Sequence, residues 1–241
     1  MAVQPPSAPT LSANDRTVLA ALFDPEAFPS AHSKSRNTAP VDRFLPSLPQ
    51  IANSNLESLE KQQKELVLRL GQSEGAETAP KPELESIKNE LDSIVSAHPN
   101  YASAYLNRAM TRRLLVEAQE GGLFSAPSSN SLDQIFADLS RAIFLTQPPT
   151  QSTPISPFSA RILRTAYSHR AYLYLKASEI GVAIKGMGKT ELEDMASRDF
   201  KTAAWYGDDV AREMSVRTNP YAKMCGEIVR NAIKEEREGK V

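Results

Sequence analysis

Three kinds of side chain in this 241-residue chain are candidates for chemistry: a lysine in a glycine-rich segment, a single cysteine and three histidines. The segment AIKGMGKT (183–190) matches a loose phosphate-loop pattern, with Ala183 in place of the first glycine. In that role backbone N–H groups would bind phosphate, Lys189 would contact the β- and γ-phosphates and Thr190 would bind magnesium. A phosphate loop follows a β-strand, whereas this segment follows the helical stretch YLYLKASEIG. We therefore interpret it as a connection between helices, and nucleotide binding through 183–190 is kept as the less favoured alternative.

The cysteine and the histidines lack the neighbours that catalysis or metal binding requires. Cys225 lies beyond the first turn of the helix that starts at Asn219-Pro220, and no histidine is placed to act as its base. Packing is the role expected for Cys225. His169 has no Cys or His at the spacing of metal ligands. The sequence predicts a protein that is not an enzyme, with no catalytic residue, no metal and no cofactor.

Charge and composition narrow the class of partner. The chain carries 28 Lys and Arg, 29 Asp and Glu, and a net charge of −1. Nucleic acids and anionic membranes bind basic faces, so neither is the expected partner. A single cysteine cannot form an internal disulfide, which favours a reducing compartment. No apolar run approaches the ~18–20 residues that cross a bilayer, and the N-terminus lacks the pattern of a signal peptide. We expect a cytoplasmic protein with a protein or peptide partner.

The elements that position these residues are indicated by a two-part phrase that occurs twice. AYLNRA (104–109) returns as AYSHRA (166–171), and DLSRA (138–142) returns as DFKTA (199–203). In each first phrase a tyrosine precedes an alanine by four residues, so the two share one face of a helix. The small alanine lets a second helix approach closely, and the alanine of the second phrase receives it. Such hairpins bury their apolar faces by stacking on one another, so the sequence predicts an all-α domain of tandem helical hairpins.

The predicted domain spans residues 50–238 and contains about three repeats. Helices at 54–70 and 82–97 form a degenerate first repeat, because their apolar residues recur at helical spacing without the repeated phrase. The two later repeats carry insertions between their helices, at 120–131 and 179–189.

The two ends of the chain are predicted to differ from the repeats. Residues 1–49 are expected to be mostly disordered or extended, with a short helix near 15–23. At the other end, a helix that starts at Asn219-Pro220 is expected to cap the stack. One face of that helix is apolar and consists of Tyr221, Met224, Cys225, Ile228, Val229 and Ile233.

The hairpins resemble the tetratricopeptide repeat. The matching residues are Tyr105, Ala109, Ala142, Tyr167, Ala171, Tyr174 and Ala203. More specifically, the order of DRTVLAALFDPEAF, AYLNRAMTRRL, DLSRAI, DFKTAA and NPYAKMC is similar to the tetratricopeptide repeat protein 36 family, over about residues 15–233. This resemblance implies a non-enzymatic interaction module or adaptor that is associated with Hsp70 and, in animals, with tyrosine breakdown.

Some tetratricopeptide domains grip the C-terminal carboxylate of Hsp70 or Hsp90 with a clamp of Lys, Asn and Arg side chains. Asn107 matches the asparagine that this clamp takes from the second repeat. The third-repeat positions hold Thr165 and His169, and the first repeat offers no clear Lys/Asn pair. Because most of the positive charge is missing, we do not expect strong carboxylate capture.

The concave side of the leading helices is the predicted partner-binding site. Its residues are Asn107, Met110, Arg113, His169, Tyr172 and Lys176. An apolar centre with basic edges suits a helix or an extended peptide of some acidic character. The alternative is a structural subunit of a larger complex, for which the proline-rich residues 24–49 would be the docking segment.

Overall fold

In the computed structural model the described residues are 38–71, 80–118, 122–124 and 129–237. The predicted all-α fold is confirmed: these ranges contain helices and two isolated β-bridges, with no longer strand. The short helix predicted near 15–23 lies outside them. The helices are α1 (Asn53–Gly71), α2 (Lys81–Ala97), α3 (Ala102–Glu117), α4 (Ser129–Thr146), α5 (Pro157–Ile180), α6 (Lys189–Trp205), α7 (Asp209–Arg217) and α8 (Pro220–Arg237).

Helices α3/α4 and α5/α6 are the two hairpins that the repeated phrase predicts. The alanines of that phrase are buried where the helices of each hairpin meet: Ala109 is 1% exposed, and Ala142, Ala171 and Ala203 are 0% exposed. Side chains of this size let the helix axes approach closely. Consecutive helices pack from α2 through α7, whereas α1 makes fewer contacts with α2 and α3.

The same phrases also place a buried ion pair in each hairpin. Arg108 of α3 donates Nε and Nη2 hydrogen bonds to the Asp138 carboxylate of α4, at 3.0 and 2.6 Å. Arg170 of α5 repeats this arrangement with Asp199 of α6, at 2.6 and 2.9 Å. The two-pronged geometry fixes the rotation of one helix against the other. These four residues are part of the repeat, although the tyrosines and alanines alone were used to predict it.

The insertion at 179–189 is short and mostly exposed, and Ile184 is its buried residue. Helix α5 continues through Ile180, and Ile184 then pairs with Met187 across a turn in which Lys185 and Gly186 have φ angles of 51° and 78°. Ile184 is 4% exposed, so the turn is anchored in the core. The glycine-rich segment thus follows a helix rather than a strand. Of the insertion at 120–131, the structure describes residues 122–124 and the first turn of α4, and Leu123 is buried.

Helix α7 was not predicted from the sequence. Asp208 caps its start, because the Asp208 carboxylate accepts a 2.9 Å hydrogen bond from the backbone N–H of Ala211. Gly207 precedes the cap with a φ of 93°, a conformation that favours glycine. Ala211 is 1% exposed and packs at the end of the stack.

Helix α8 is the expected C-terminal helix, but its apolar face is not covered by the described part of the chain. Tyr221 is 70% exposed and Ile228 is 60% exposed, and Met224, Val229 and Ile233 are each more than half exposed. The expected packing of Cys225 is wrong, since this residue is exposed. The reason is that α8 makes few contacts with α6 and α7, so neither helix covers this face. None of the described helices is long and apolar enough to cross a membrane.

Residues 38–52, which we name the strap, run along the stack before entering α1. Ala39 and Leu48 are buried, at 8% and 2% exposed, whereas Phe44 is 97% exposed. Two buried residues therefore anchor the strap, and the Phe44 side chain between them is exposed.

Candidate partner-binding groove

The leading helices α1, α3 and α5 line a groove of about 620 Å³. Its apolar lining consists of Val67, Leu68, Leu106, Met110 and Ile162. Val67 and Leu68 are 48% and 50% exposed, although they are large apolar residues on a helix that has a core to bury them. An apolar cleft between helices suits the side chains of a partner segment.

Charged residues surround this apolar lining. Lys61, Lys64 and Arg161 line the groove together with one carboxylate, Glu60. Glu60 accepts hydrogen bonds from the buried Tyr101 hydroxyl and, at 3.3 Å, from Arg161 Nη2. Burial and the neighbouring Glu60 raise the pKa of Tyr101, so this hydroxyl stays protonated and donates. Three cations against one carboxylate give the groove a positive field, which favours an acidic partner.

Two amides lie side by side at the base of the groove. Asn107 of α3 donates from Nδ2 to Oε1 of Gln63 on α1. Gln63 is 3% exposed, and its Nε2 has no hydrogen-bond partner among the described residues. Together they join the walls of the groove that α1 and α3 form. Gln63, Lys61 and Lys64 were not predicted as site residues, because the degenerate first repeat has no phrase by which to align them.

The predicted site residues fall into two groups. Asn107 and Met110 line the groove, as does the neighbouring Thr165. Arg113, His169, Tyr172 and Lys176 do not line it. They form a separate cluster between α3 and α5, which we name the Arg113 cluster.

Within the Arg113 cluster the side chains are engaged with one another. Arg113 lies 5.2 Å above the ring centroid of Tyr172, and Lys176 lies 5.9 Å from the same centroid. The Nη1 of Arg113 is 3.3 Å from Nδ1 of His169. Each cation is also paired with a glutamate of its own helix: Arg113 with Glu117 at 3.3 Å, and Lys176 with Glu179 at 2.8 Å. These contacts leave the two cations less available to a partner than those of the groove.

His169 is neutral in this environment. Burial, and then the positive charge of Arg113, lower the pKa of His169 from 6.5 to about 4. A neutral imidazole nitrogen accepts the Arg113 hydrogen bond, whereas a protonated ring would repel the guanidinium. The hydrogen bond between Arg113 and His169 is therefore expected at neutral pH, where the imidazole ring is uncharged.

Comparison with known proteins places the chain in a family. It is 36% identical to the "L-tyrosine degradation gene cluster protein hmgX" of Aspergillus fumigatus, over 97% of this chain and 96% of that protein. It is 25% identical to "Tetratricopeptide repeat protein 36" of Danio rerio, over 95% of this chain and 97% of that protein. The protein of the same name from Mus musculus is 26% identical over 90% of each chain. The chain belongs to the tetratricopeptide repeat protein 36 family.

The match extends over nearly the whole length of these relatives, so the similarity is not limited to one repeat. The names of these relatives designate repeat proteins and a gene-cluster protein, not enzymes. No family model matches the chain, and no solved structure matches it. The repeats of this chain are therefore characterised by the features described above: stacked helices, buried alanines and Arg–Asp pairs.

Proposed function

We propose that this protein is a non-enzymatic interaction module that binds a segment of a partner protein in its groove. The observation that carries this proposal is the groove itself: half-exposed Val67 and Leu68 face Met110 across a cleft with a positive edge. A helix or an extended segment with apolar and acidic side chains fits such a surface. Because the binding surface is built from the repeats, we expect the protein to act as an adaptor.

We further propose that the partner takes part in tyrosine degradation. The similarity to a protein that is named for an L-tyrosine degradation gene cluster supports this, since it covers nearly the whole of both chains. Products of such a cluster act on one pathway, and an adaptor among them would bind an enzyme of that pathway or a factor that maintains it.

Hsp70 is a candidate for such a maintaining factor, and the cytoplasm is the proposed location. Support for Hsp70 comes from the family resemblance and from the cations of the groove. Lys61 and Lys64 supply positive charge from the first repeat, next to Asn107 of the second. The third-repeat clamp positions still hold Thr165 and His169, so an Hsp70 segment would bind by a different set of contacts from the usual clamp.

The test is an affinity capture from lysate of the native host, with two charge-reversed variants. Lys61→Glu/Lys64→Glu alters the groove, and Lys201→Glu/Arg230→Glu makes the same change in charge at exposed positions outside it. We expect the groove variant alone to lose a tyrosine-catabolic enzyme or Hsp70, with an unchanged far-UV circular dichroism spectrum. Direct binding of the purified partner is then measured by calorimetry. Identical capture by both variants would place the binding site outside the groove.

The role of a structural subunit is the second candidate, and the exposed apolar face of α8 favours it. Faces of this kind on a helix are usual at subunit interfaces. Deletion of residues 220–241 would then abolish assembly into a larger complex in native-host lysate, as measured by size-exclusion chromatography. An unchanged elution volume would leave the adaptor role as the better account.

A further inference from the structure

The strap joins the last helical hairpin to the first. At its beginning, the backbone N–H of Ala39 donates a 2.8 Å hydrogen bond to the carbonyl oxygen of Trp205, the last residue of α6. At its other end the strap continues directly into α1. Its two ends therefore contact the third repeat and the first.

Between these ends, the strap is bonded to the linker that precedes α5. The N–H of Ile155 donates to the carbonyl of Pro40 at 3.0 Å, and the N–H of Asp42 donates to the carbonyl of Ile155 at 2.9 Å. The hydroxyls of Ser156 and Ser159 donate to the carbonyl of Ser47, at 3.0 and 3.4 Å. All of these bonds are made with the backbone of the strap, so they fix its path.

The strap is rigidly coupled to α1. Leu48 is 2% exposed and packs in one apolar cluster with Leu56 and Leu59 of α1. The N–H of Leu56 donates to the carbonyl of Ala52 at 2.9 Å, so the strap ends where the helix begins. A displacement of the strap therefore moves the start of α1.

Helix α1 is the wall of the groove that depends most on such support. It makes fewer contacts with α2 and α3 than the later helices make with their neighbours. Its apolar attachment comes from three leucines, Leu56, Leu59 and Leu66. Polar contacts add to it: Gln63 to Asn107, and Arg69 to Glu83 and Glu90 at 2.6 Å each. A cavity of about 340 Å³ lies between the strap and residues 145–156. Between the buried Ala39 and Leu48, the strap is held by its hydrogen bonds, which break more readily than a packed core.

We propose that the strap is a conformational device that sets the position of α1 and thereby the width of the groove. When its bonds to Ile155 are made, α1 is held against α3 and the groove is narrow. When they break, α1 moves outward and the groove opens. This inference rests on the proposed function only in taking the groove to be the binding site. It is tested on the full-length chain with no partner present.

The first measurement is the distance between spin labels on α1 and α6, by pulsed electron paramagnetic resonance. The labels are placed at Glu65→Cys and Lys201→Cys, two exposed positions, in a Cys225→Ser background. Asp42→Pro removes the N–H that bonds to Ile155, whereas Asp42→Ala removes the same carboxylate and keeps that N–H. We expect Asp42→Pro to shift the distance distribution to longer and broader values and Asp42→Ala to leave it unchanged. Identical distributions for the two variants would overturn the proposal.

A reversible lock supplies the second measurement. Val41 and Ile155 pair in a parallel β-bridge, so Val41→Cys/Ile155→Cys places two thiols on adjacent backbones. With Cys225→Ser and no spin labels, oxidation should slow amide hydrogen exchange in α1 of the Asp42→Pro chain by about tenfold, the factor that corresponds to regaining one or two such bonds. If Asp42→Pro does not fold, oxidised and reduced forms of the lock are compared with Asp42 intact. Equal exchange rates in α1 would overturn the proposal there as well.

These outcomes are separable from those of the capture experiment. The strap can fail to move α1 while the groove still binds its partner. Equally, the groove variant can retain every partner while the strap controls α1.

Discussion

The Asp138 carboxylate of α4 accepts three hydrogen bonds from two guanidinium groups of α3. It is 3% exposed and accepts hydrogen bonds from Arg108 and, at 2.6 Å, from Arg112. Asp138→Ala would leave both guanidinium groups buried, with Asp92 of α2 as their remaining carboxylate. We expect the free energy of unfolding to fall by about 3 kcal/mol, the lower end of the cost of breaking a buried ion pair, measured by urea denaturation. Asp133→Ala, at an exposed position of the same helix, is the control and should change it by less than about 0.5 kcal/mol. A loss below about 1 kcal/mol for Asp138→Ala would contradict a buried ion pair of this strength.

His169 makes the stability of the fold depend on pH. The folded state lowers the pKa of His169 to about 4 from 6.5, through burial and the charge of Arg113, while Asp208 opposes the shift. The neutral ring is thus favoured in the folded state, and this contribution is complete above pH 6.5. It is lost as the pH falls from 6.5 to about 4, by up to about 3 kcal/mol.

The test is urea denaturation at pH 7.5, 6 and 5, with His169→Gln and His98→Gln compared with the parent chain. We expect the parent and His98→Gln to lose stability as the pH falls. His169→Gln should lose less, because glutamine carries no titrating group. If the three chains change in parallel, His169 is not the group responsible.

For individual residues, the sequence predicts which small side chains pack between helices better than it predicts which charged side chains pair with each other. Ala109 and Ala171 follow from spacing, because a small side chain on one helix face has one structural use. Arg108 and Asp138 stood in the same repeated phrases, but a charged residue on a helix is usually solvated, so the phrase alone does not mark it as buried. The Arg113 cluster shows the same limit. Arg113 and His169 were predicted to face the partner side of the leading helices, but they contact each other and do not line the groove.

At the scale of the helices, two glycines, one before α7 and one within α8, allow the effect of backbone conformation to be tested without steric clashes. A Cβ added to Gly207 or to Gly226 would meet nothing within 4 Å. Gly207 has a φ of 93°, whereas Gly226 lies inside α8. Gly207→Ala should therefore lower the free energy of unfolding by about 1 kcal/mol or more, because alanine rarely adopts a positive φ. Gly226→Ala should raise the helix signal in circular dichroism, since alanine is favoured over glycine in a helix by about 1 kcal/mol.

A stabilising effect of Gly207→Ala would show that the turn into α7 is not held in the left-handed conformation. No change in helicity for Gly226→Ala would show that residue 226 does not lie inside a helix. The two variants add the same methyl group in equally open space, so steric clashes do not account for a difference between them.

The sequence predicts most helix limits to within a residue or two, and its two failures have physical causes. The predicted 54–70 and 82–97 compare with Asn53–Gly71 and Lys81–Ala97 in the structure. Helix α7 has only nine residues and a single buried one, too short to show an apolar periodicity. The face of α8 was correctly identified as apolar, but periodicity does not show whether another helix covers such a face. That depends on how α8 packs against α6 and α7, which the spacing of its apolar residues does not determine.

At the scale of the whole molecule, the groove depends on how the first repeat packs against the later ones, which the sequence pattern does not predict. The repeated phrases identify α3 and α5 as leading helices, and Asn107 and Met110 follow from them. The first repeat lacks the phrase, so its Lys61, Gln63 and Lys64 have no register against which to be assigned. The strap, in turn, makes its bonds to Trp205 and Ile155 through backbone groups, which every sequence possesses.

The number of buried residues in each helix predicts which helix unfolds locally first. Helix α5 carries ten buried residues, whereas the buried residues described for α1 are Leu56, Leu59, Gln63 and Leu66. Local opening takes least free energy where the fewest apolar contacts are lost. We therefore expect amide hydrogens of α1 to exchange at least about tenfold faster than those of α5 in the free protein, as measured by hydrogen–deuterium exchange and mass spectrometry.

A bound partner segment should slow amide exchange in α1 more than in α5, because the segment would connect the loosely packed α1 to the firmly packed α5. Equal exchange of α1 and α5 in the free protein would mean that the stack opens as one unit, and the groove would then be a rigid site rather than an adjustable one.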